Sequence, residues 1–246
     1  MRLNRVYLDR PLQLNDCFDL PADAVRHLVT VLKMPAGSDI ELFNGDGHGY
    51  RANLTDVAKK QVTVTITSQQ TDDRESALQL HLAQGISRGD KMDLTLQKAV
   101  ELGVQQITPL FTERCGVKLS AERLQKKQQH WQKVIISACE QCGRNRLPQL
   151  NAPIQLNAFI DQQIAAMPSL ETLLLLNPHQ GQSIRNLKQA SQFTLLIGPE
   201  GGLSDQEVEY LLQKGATGIQ LGPRILRTET AGLAAISSLQ VSFGDF

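Results

Sequence analysis

The 246-residue sequence predicts an α/β fold preceded by a smaller, mostly β unit, and three observations carry that reading. Up to about residue 72, short alternating runs are broken by glycine turns. From about residue 76, strand patterns alternate with helical ones, which is the signature of a parallel sheet. Finally, three late apolar runs each end at a proline: Asn177-Pro178, Gly198-Pro199 and Gly222-Pro223.

In the first region a short helix is expected near "PADAVRHLVTVLK". An extended run "DIELFN" then meets the turn "GDGHG", followed by "YRANLTDV", the polar break "AKK" and the strictly alternating "QVTVTITS". Strands this short with glycine turns favour a little barrel. The polar stretch "QQTDDRES" reads as a linker, with the boundary placed after residue 72.

In the second region "ALQLHLAQGI" is a strand, "DKMDLTLQKAVELG" a helix closed by Gly103, and "VQQITPLF" a strand. A long helix is expected over 121–142. Its apolar face carries Leu124, Trp131, Val134, Ile135 and Ala138, and Arg123, Lys126, Lys127 and Lys133 lie outside that face. "LETLLLLNP", "QFTLLIGP" and "ATGIQLGP" supply the last three strands. Proline ends a strand because it has no N–H to donate. With helical crossovers all three ends fall on the carboxyl edge, where open α/β sheets bind ligands.

Composition bounds the function. Hydrophobic residues make up 41% and charged residues 20% of the chain, as in ordinary globular proteins. No apolar run approaches the roughly 20 residues of a membrane helix, and the start lacks a signal-peptide core, so a cytoplasmic protein is expected. Net charge is zero, with 25 basic and 25 acidic residues. Residues 76–150, however, hold 11 Lys and Arg against 6 Asp and Glu, a local excess that suits nucleic acid. The four cysteines are too scattered for a disulfide scaffold, and Cys139 and Cys142 lie within a helical pattern. Neither they nor the five histidines show ligand spacing, so no metal is expected.

"LLIGPEGGLSDQEVEYLLQKG" looks at first like a phosphate cradle. It fits neither G-x-G-x-x-G nor G-K-[ST], and Glu200 would repel a polyphosphate. Ser204 and Glu207 form an S-x-x-E capping box for the helix behind it, which Gly215 ends. In "LGPRILRTETAGLAAISSLQ", Arg224 and Arg227 supply cations and Thr228 is expected to cap a helix. Ala231, Gly232, Ala234 and Ala235 open that helix with small side chains, fit for a close crossover or a dimer contact, or for an ordinary buried helix.

"LLIGPEGGLSDQE" and "LGPRILRTETA" resemble the SPOUT-class methyltransferases. With "QKAVELGV", "PLFTERC" and "CEQCGR" added, the chain resembles the RsmE family, which methylates N3 of a uridine in 16S ribosomal RNA. The resemblance implies a PUA-like RNA-binding β-barrel over 1–72 and a trefoil-knotted α/β methyltransferase domain over 73–246. It also implies S-adenosylmethionine as cofactor and a homodimer. For the cofactor it implies Leu175, Leu176 and Asn177; Ile197, Gly198, Pro199, Glu200, Gly201 and Gly202; and Leu221, Gly222, Ile225, Leu226 and Arg227.

Arg114, Glu140, Gln141 and Arg144 are implied on the RNA side. Arg2, Arg5, Arg10, Arg26, Arg88 and Lys91 are further candidates for contacts to rRNA or the small ribosomal subunit. The implied reaction removes a proton from uracil N3, so a guanidinium beside the flanking carbonyl oxygens would favour the anion. Arg227 is the first catalytic candidate and Arg144 the second, with Glu229 or Glu200 as the available carboxylate base. A Rossmann-type methyltransferase would place its glycine loop after the first strand. A non-catalytic RNA-binding protein and an enzyme acting on another RNA nucleotide are the other readings.

Overall fold

The computed structural model describes residues 3–71, 74–117, 120–166, 172–177 and 180–246. Arg2 and Pro178 lie outside the described residues. The chain forms two compact units, one of Met1–Glu75 with Cys139–Leu147 and one of Ser76–Ala138 with Pro148–Phe246.

The first unit is a five-stranded sheet built from β1 (Asn4–Tyr7), β2 (Cys17–Asp19), β3 (Asp39–Phe43), β4 (Gly49–Val57) and β5 (Val62–Gln70). Their spatial order is β1-β3-β4-β5-β2, with β1 parallel to β3 and the other pairs antiparallel. The expected runs became β3, β4 and β5; β1 and β2 are too short and too polar to stand out in the sequence. The expected helix starts as α1 (Ala22–Val25) and widens into a π-helical stretch over Arg26–Val31. Period-2 alternation in β5 buries Val62, Val64 and Ile66 with Leu28, Ile40, Leu42 and Leu54 in one core.

Residues 139–147 join this unit through buried polar contacts. The Arg144 side chain, 4% exposed, pairs bidentately with Glu75 at 3.0 and 2.5 Å. Arg5 donates to the Arg144 carbonyl and to Asn145 Oδ1, pairs with Glu41 and lies over the Phe43 ring. Cys139 is buried in the last turn of its helix, and that burial pushes its thiol up to about 12.

The second unit is a parallel sheet. Its strands are β6 (Gln79–Gly85), β7 (Gln106–Phe111), β8 (Gln149–Leu150), β9 (Ile154–Gln155), β10 (Leu173–Leu176), β11 (Gln192–Ile197) and β12 (Thr217–Ile219). The order is β12-β10-β11-β6-β7-β8, and β9 also pairs with β7. Helices α2 (Asp90–Glu101), α3 (Ala121–Cys142), α4 (Leu156–Ala166), α5 (Asp205–Gln213) and α6 (Thr228–Phe243) make or follow the crossovers. β10 and β11 are nearly continuous apolar runs because neither face of a parallel sheet meets water. Gly103 ends α2 at φ +84°. On α3, Trp131, Ile135 and Ala138 are buried, while Leu124 and Val134 are half-buried. α4, β8 and β9 fall in the 147–170 stretch, where the sequence carries little signal. Among the described residues, no helix is long and apolar enough to cross a membrane.

His81 on β6 is half-buried against the Phe159 ring, with Nε2 2.7 Å from Thr108 Oγ1. Asn151 Nδ2 donates to the same hydroxyl, which leaves its hydrogen for His81 Nε2 as acceptor. Burial lowers the imidazole to about 4. The unfolded chain, titrating near 6.5, therefore binds the proton first as pH falls. Stability from this group is complete above pH 6.5 and declines from there toward pH 4. Urea denaturation should show a loss of about 2 kcal/mol between pH 7 and pH 5 that is absent in His81→Gln. Equal pH dependence in the two proteins would contradict this.

Candidate active site

The strand ends converge as expected at the carboxyl edge. β12, β10 and β11 are neighbours, with Leu176 level with Ile219 and Leu175 with Leu196. A cavity of about 810 Å³ opens there. It is lined by Leu176, Asn177 and Gln180 at and beyond the end of β10, and by Ile197 through Leu203 at and beyond the end of β11. Ile225, Leu226, Arg227, Thr228 and Ala231 close another side. Lys91, in the first turn of α2, and Arg114, in the loop after β7, also line it.

The loop after β11 is built by close backbone approach. A Cβ on Gly198 would come within 2.9 Å of the Gly202 carbonyl carbon and Leu203 nitrogen. Gly202 N–H closes the turn onto the Pro199 carbonyl at 2.8 Å with φ +69°, a conformation that suits glycine. Behind the turn, a Cβ on Gly85 would lie 2.5 Å from Pro199 nitrogen, so β6 ends directly against it. The capping box forms as read. Ser204 Oγ accepts the Glu207 N–H at 3.2 Å, and Glu207 Oε2 accepts the Ser204 N–H at 2.8 Å.

Thr228 does not cap α6. Arg227 occupies the cap position, and Thr228 is the first helical residue. Its hydroxyl donates to the Gly198 carbonyl at 2.6 Å and accepts from buried Gln84 Nε2 at 3.1 Å. The polar interior of β6 competes for this hydroxyl, so the side chain serves the loop instead of its own helix. Gly222-Pro223 is likewise displaced: β12 stops at Ile219, three residues earlier than the sequence reading placed its end.

Of the cofactor candidates, Leu176, Asn177, Ile197, Gly198, Pro199, Glu200, Gly201, Gly202, Ile225, Leu226 and Arg227 line the cavity. Leu175 is fully buried in the core of this unit, because alternate residues of β10 face opposite ways. Leu221 and Gly222 lie in the same loop as Ile225 but outside the cavity lining.

Arg227 is exposed, and among the described residues its guanidinium has no hydrogen-bond partner. Glu229 is half-buried, does not line the cavity, and has a buried Oε2 without a partner. Glu200 is engaged: Oε1 accepts the Arg88 N–H at 2.9 Å and lies 3.7 Å from Lys91 Nζ. Burial acts to raise its carboxyl, but hydrogen bonds from the Arg88 N–H and its own N–H, with the Lys91 charge, hold it below the usual range. A carboxylate so held is a poor proton acceptor.

The RNA candidates separate into two groups. In the first unit Arg10 and Arg26 are on the surface, Arg10 over the Phe18 ring and Arg26 3.8 Å from Asp23. Arg5, with a side chain 6% exposed, and Arg144 are turned inward and hold carboxylates, so neither presents its guanidinium to a phosphate. Glu140 Oε1 accepts the Tyr7 N–H in the same unit, and burial raises its carboxyl. In the second unit Arg88 is exposed and donates to the Gly116 carbonyl, while Arg114 donates to the Leu203 carbonyl at 3.0 Å. No three metal-ligating side chains gather among the described residues.

One part of the cavity lining lies outside the three strand-end loops. Asp205, Val208, Glu209, Leu212 and Gln213 of α5 face the cavity at spacings of three and four. Helical periodicity counted onward from the capping box is the signal that marks this face.

An RNA methyltransferase domain matches residues 74–240, and an RNA methyltransferase PUA domain matches residues 20–67. The chain is 37% identical to the ribosomal RNA small subunit methyltransferase E of Buchnera aphidicola (subsp. Schizaphis graminum), covering 99% of this chain and 98% of that one. The chain belongs to the ribosomal RNA small subunit methyltransferase E family. The Bacillus subtilis member is 31% identical, over 90% of this chain and 89% of its own. The Neisseria gonorrhoeae member, solved bound to S-adenosyl methionine, superposes with a TM-score of 0.94 at 41% identity, covering all of both chains. A putative methyltransferase from Legionella pneumophila, solved with the cofactor SAM, gives 0.94 at 42%, again over both full lengths.

Two glycines of this family member provide a contrast. Gly198→Ala forces backbone to move and should weaken ligand binding to the cavity at least tenfold by calorimetry. Gly232→Ala places its Cβ 3.7 Å from Gln84 Oε1 and 3.8 Å from Ile197 Cγ1, ordinary contacts, and should fold and bind as before. Thr228→Val strips Gly198 and Gln84 of a buried partner and should cost about 1–3 kcal/mol in chemical denaturation, with Thr228→Ser close to the parent.

Proposed function

We propose that this protein transfers a methyl group from S-adenosylmethionine to N3 of a uridine in 16S ribosomal RNA, with the cavity of the second unit as its active site. The observation that carries the proposal is the placing of Arg227: an unpartnered guanidinium on the rim of a cavity at the carboxyl edge of a parallel sheet, in a chain of this family.

The residues present fit the cofactor. The cavity volume suits a ligand of that size, and most such sites are apolar with a few placed polar groups. Leu176, Ile197, Leu203, Val208, Leu212, Ile225 and Leu226 supply apolar wall for the adenine ring. The glycine loop offers backbone donors and acceptors at close range, and Asp205 and Glu209 favour a cationic ligand. When bound, S-adenosylmethionine supplies an electrophilic methyl group on a sulfonium.

The chain's own task is then to hold the uracil and stabilise its N3 anion. Arg227 does this by charge-assisted hydrogen bonds to the carbonyl oxygens beside N3. Glu229, two residues on and outside the cavity lining, is the carboxylate candidate that remains once Glu200 is engaged. Leu175 packs in the core beneath the strand ends, while Leu221 and Gly222 belong to the loop that carries Ile225. Since N3 lies on the pairing edge, the target base must be unpaired or flipped out.

In this reading residues 1–72 form a PUA-like barrel that holds rRNA, with Arg10 and Arg26 as phosphate contacts, and residues 73–246 form a SPOUT-type knotted domain. The protein acts as a homodimer, for which the small-residue face of α6 is a candidate contact.

Incubation with labelled cofactor and small subunits lacking the modification, followed by mapping of the product, tests the proposal. Methyl at uridine N3 is expected; methyl on another atom would overturn it. Arg227→Ala should lower kcat on the order of 100-fold or more while changing cofactor affinity little.

A further inference from the structure

The loops after β6 and β7 grip the loop after β11. These three strands are adjacent in the order β11-β6-β7, so their carboxyl ends meet. From one side, Arg88 N–H holds Glu200 Oε1, and Glu200 is also near Lys91. From the other, Glu113 N–H donates to Glu207 Oε1 at 2.8 Å, next to the start of α5. Arg114 completes the grip: Nη1 donates to the Leu203 carbonyl at 3.0 Å and lies 3.5 Å from the Gly201 carbonyl. A Cβ on Gly201 would lie 3.0 Å from Arg114 Cβ and 3.2 Å from its carbonyl oxygen, so Gly201 packs directly against Arg114.

We propose that Arg114 is a positioning residue for the glycine loop of the active site, and not a contact to RNA phosphate. The inference rests on the reading of the cavity as the cofactor site. Its physical basis is the two carbonyls. They belong to the turn whose backbone must lie in place for a ligand, and a cationic donor holds carbonyl oxygen more firmly than a neutral one. Fixing the loop before binding lowers the ordering cost that a ligand otherwise meets.

Arg114 is exposed, so its replacement leaves the core untouched. The test uses the full chain, with S-adenosylmethionine titrated by calorimetry in the absence of RNA. In parallel, affinity for a small-subunit rRNA fragment is measured over a range of salt. Arg114→Ala should weaken cofactor binding on the order of tenfold and leave the salt slope of RNA binding unchanged. Arg114→Lys, which keeps one cationic donor of similar reach, should recover most of the loss. A salt slope reduced by about one, with or without a change in cofactor affinity, would mark a phosphate contact and overturn the inference. Unchanged cofactor affinity in Arg114→Ala would also overturn it. Failure of the parent protein to bind S-adenosylmethionine would instead overturn the cofactor reading itself.

Discussion

The 2.6 Å hydrogen bond from Thr228 Oγ1 to the Gly198 carbonyl joins the start of α6 to the end of β11, and the cavity depends on that junction. Gln84 supports the bond from within β6, its Nε2 donating to both Thr228 Oγ1 and the Gly85 carbonyl. The ends of two strands and the start of a helix therefore meet through one hydroxyl and one amide. Gly85 and Gly198 are the positions where that crowding leaves no room for a Cβ.

Around this junction the charges fall into distinct tasks. Glu200 Oε1 and Glu207 Oε1 each accept a backbone N–H from another loop, so the two carboxylates act as rivets. Asp205 and Glu209, one turn apart on α5, stay exposed to the cavity and set its negative side. Arg227 at the cap of α6 lines the cavity and is left without a partner among the described residues. Two acidic residues therefore give the site its shape and two give it its field.

The first unit shows why counting arginines misleads. Arg5 and Arg144 look like surface cations in the sequence, yet both are buried, and each holds a carboxylate from a distant part of the chain. Removing one partner of such a pair typically costs roughly 3–5 kcal/mol, because the other is left charged and dry. Their placement ties residues 139–147 to a unit whose other members end at residue 75. Local charge density carries no trace of this, since the pairing spans 69 residues in one case and 36 in the other.

Much of the fold was legible because it rests on local rules. Alternation marked β3, β4 and β5, the α/β rhythm marked the parallel sheet, and S-x-x-E marked the start of α5. The glycine-proline turn after β11 marked the centre of the site. What stayed hidden was set by partners distant in sequence. The strand order put Arg114 against Gly201, β6 drew the Thr228 hydroxyl away from its own helix, and Glu75 drew Arg144 inward. A sequence by itself determines which segments form strands, helices and turns, since periodicity and capping act within a few residues. Which side chain meets which, and so which cation is left to do chemistry, only the packed sheet and its interlocked loops decided.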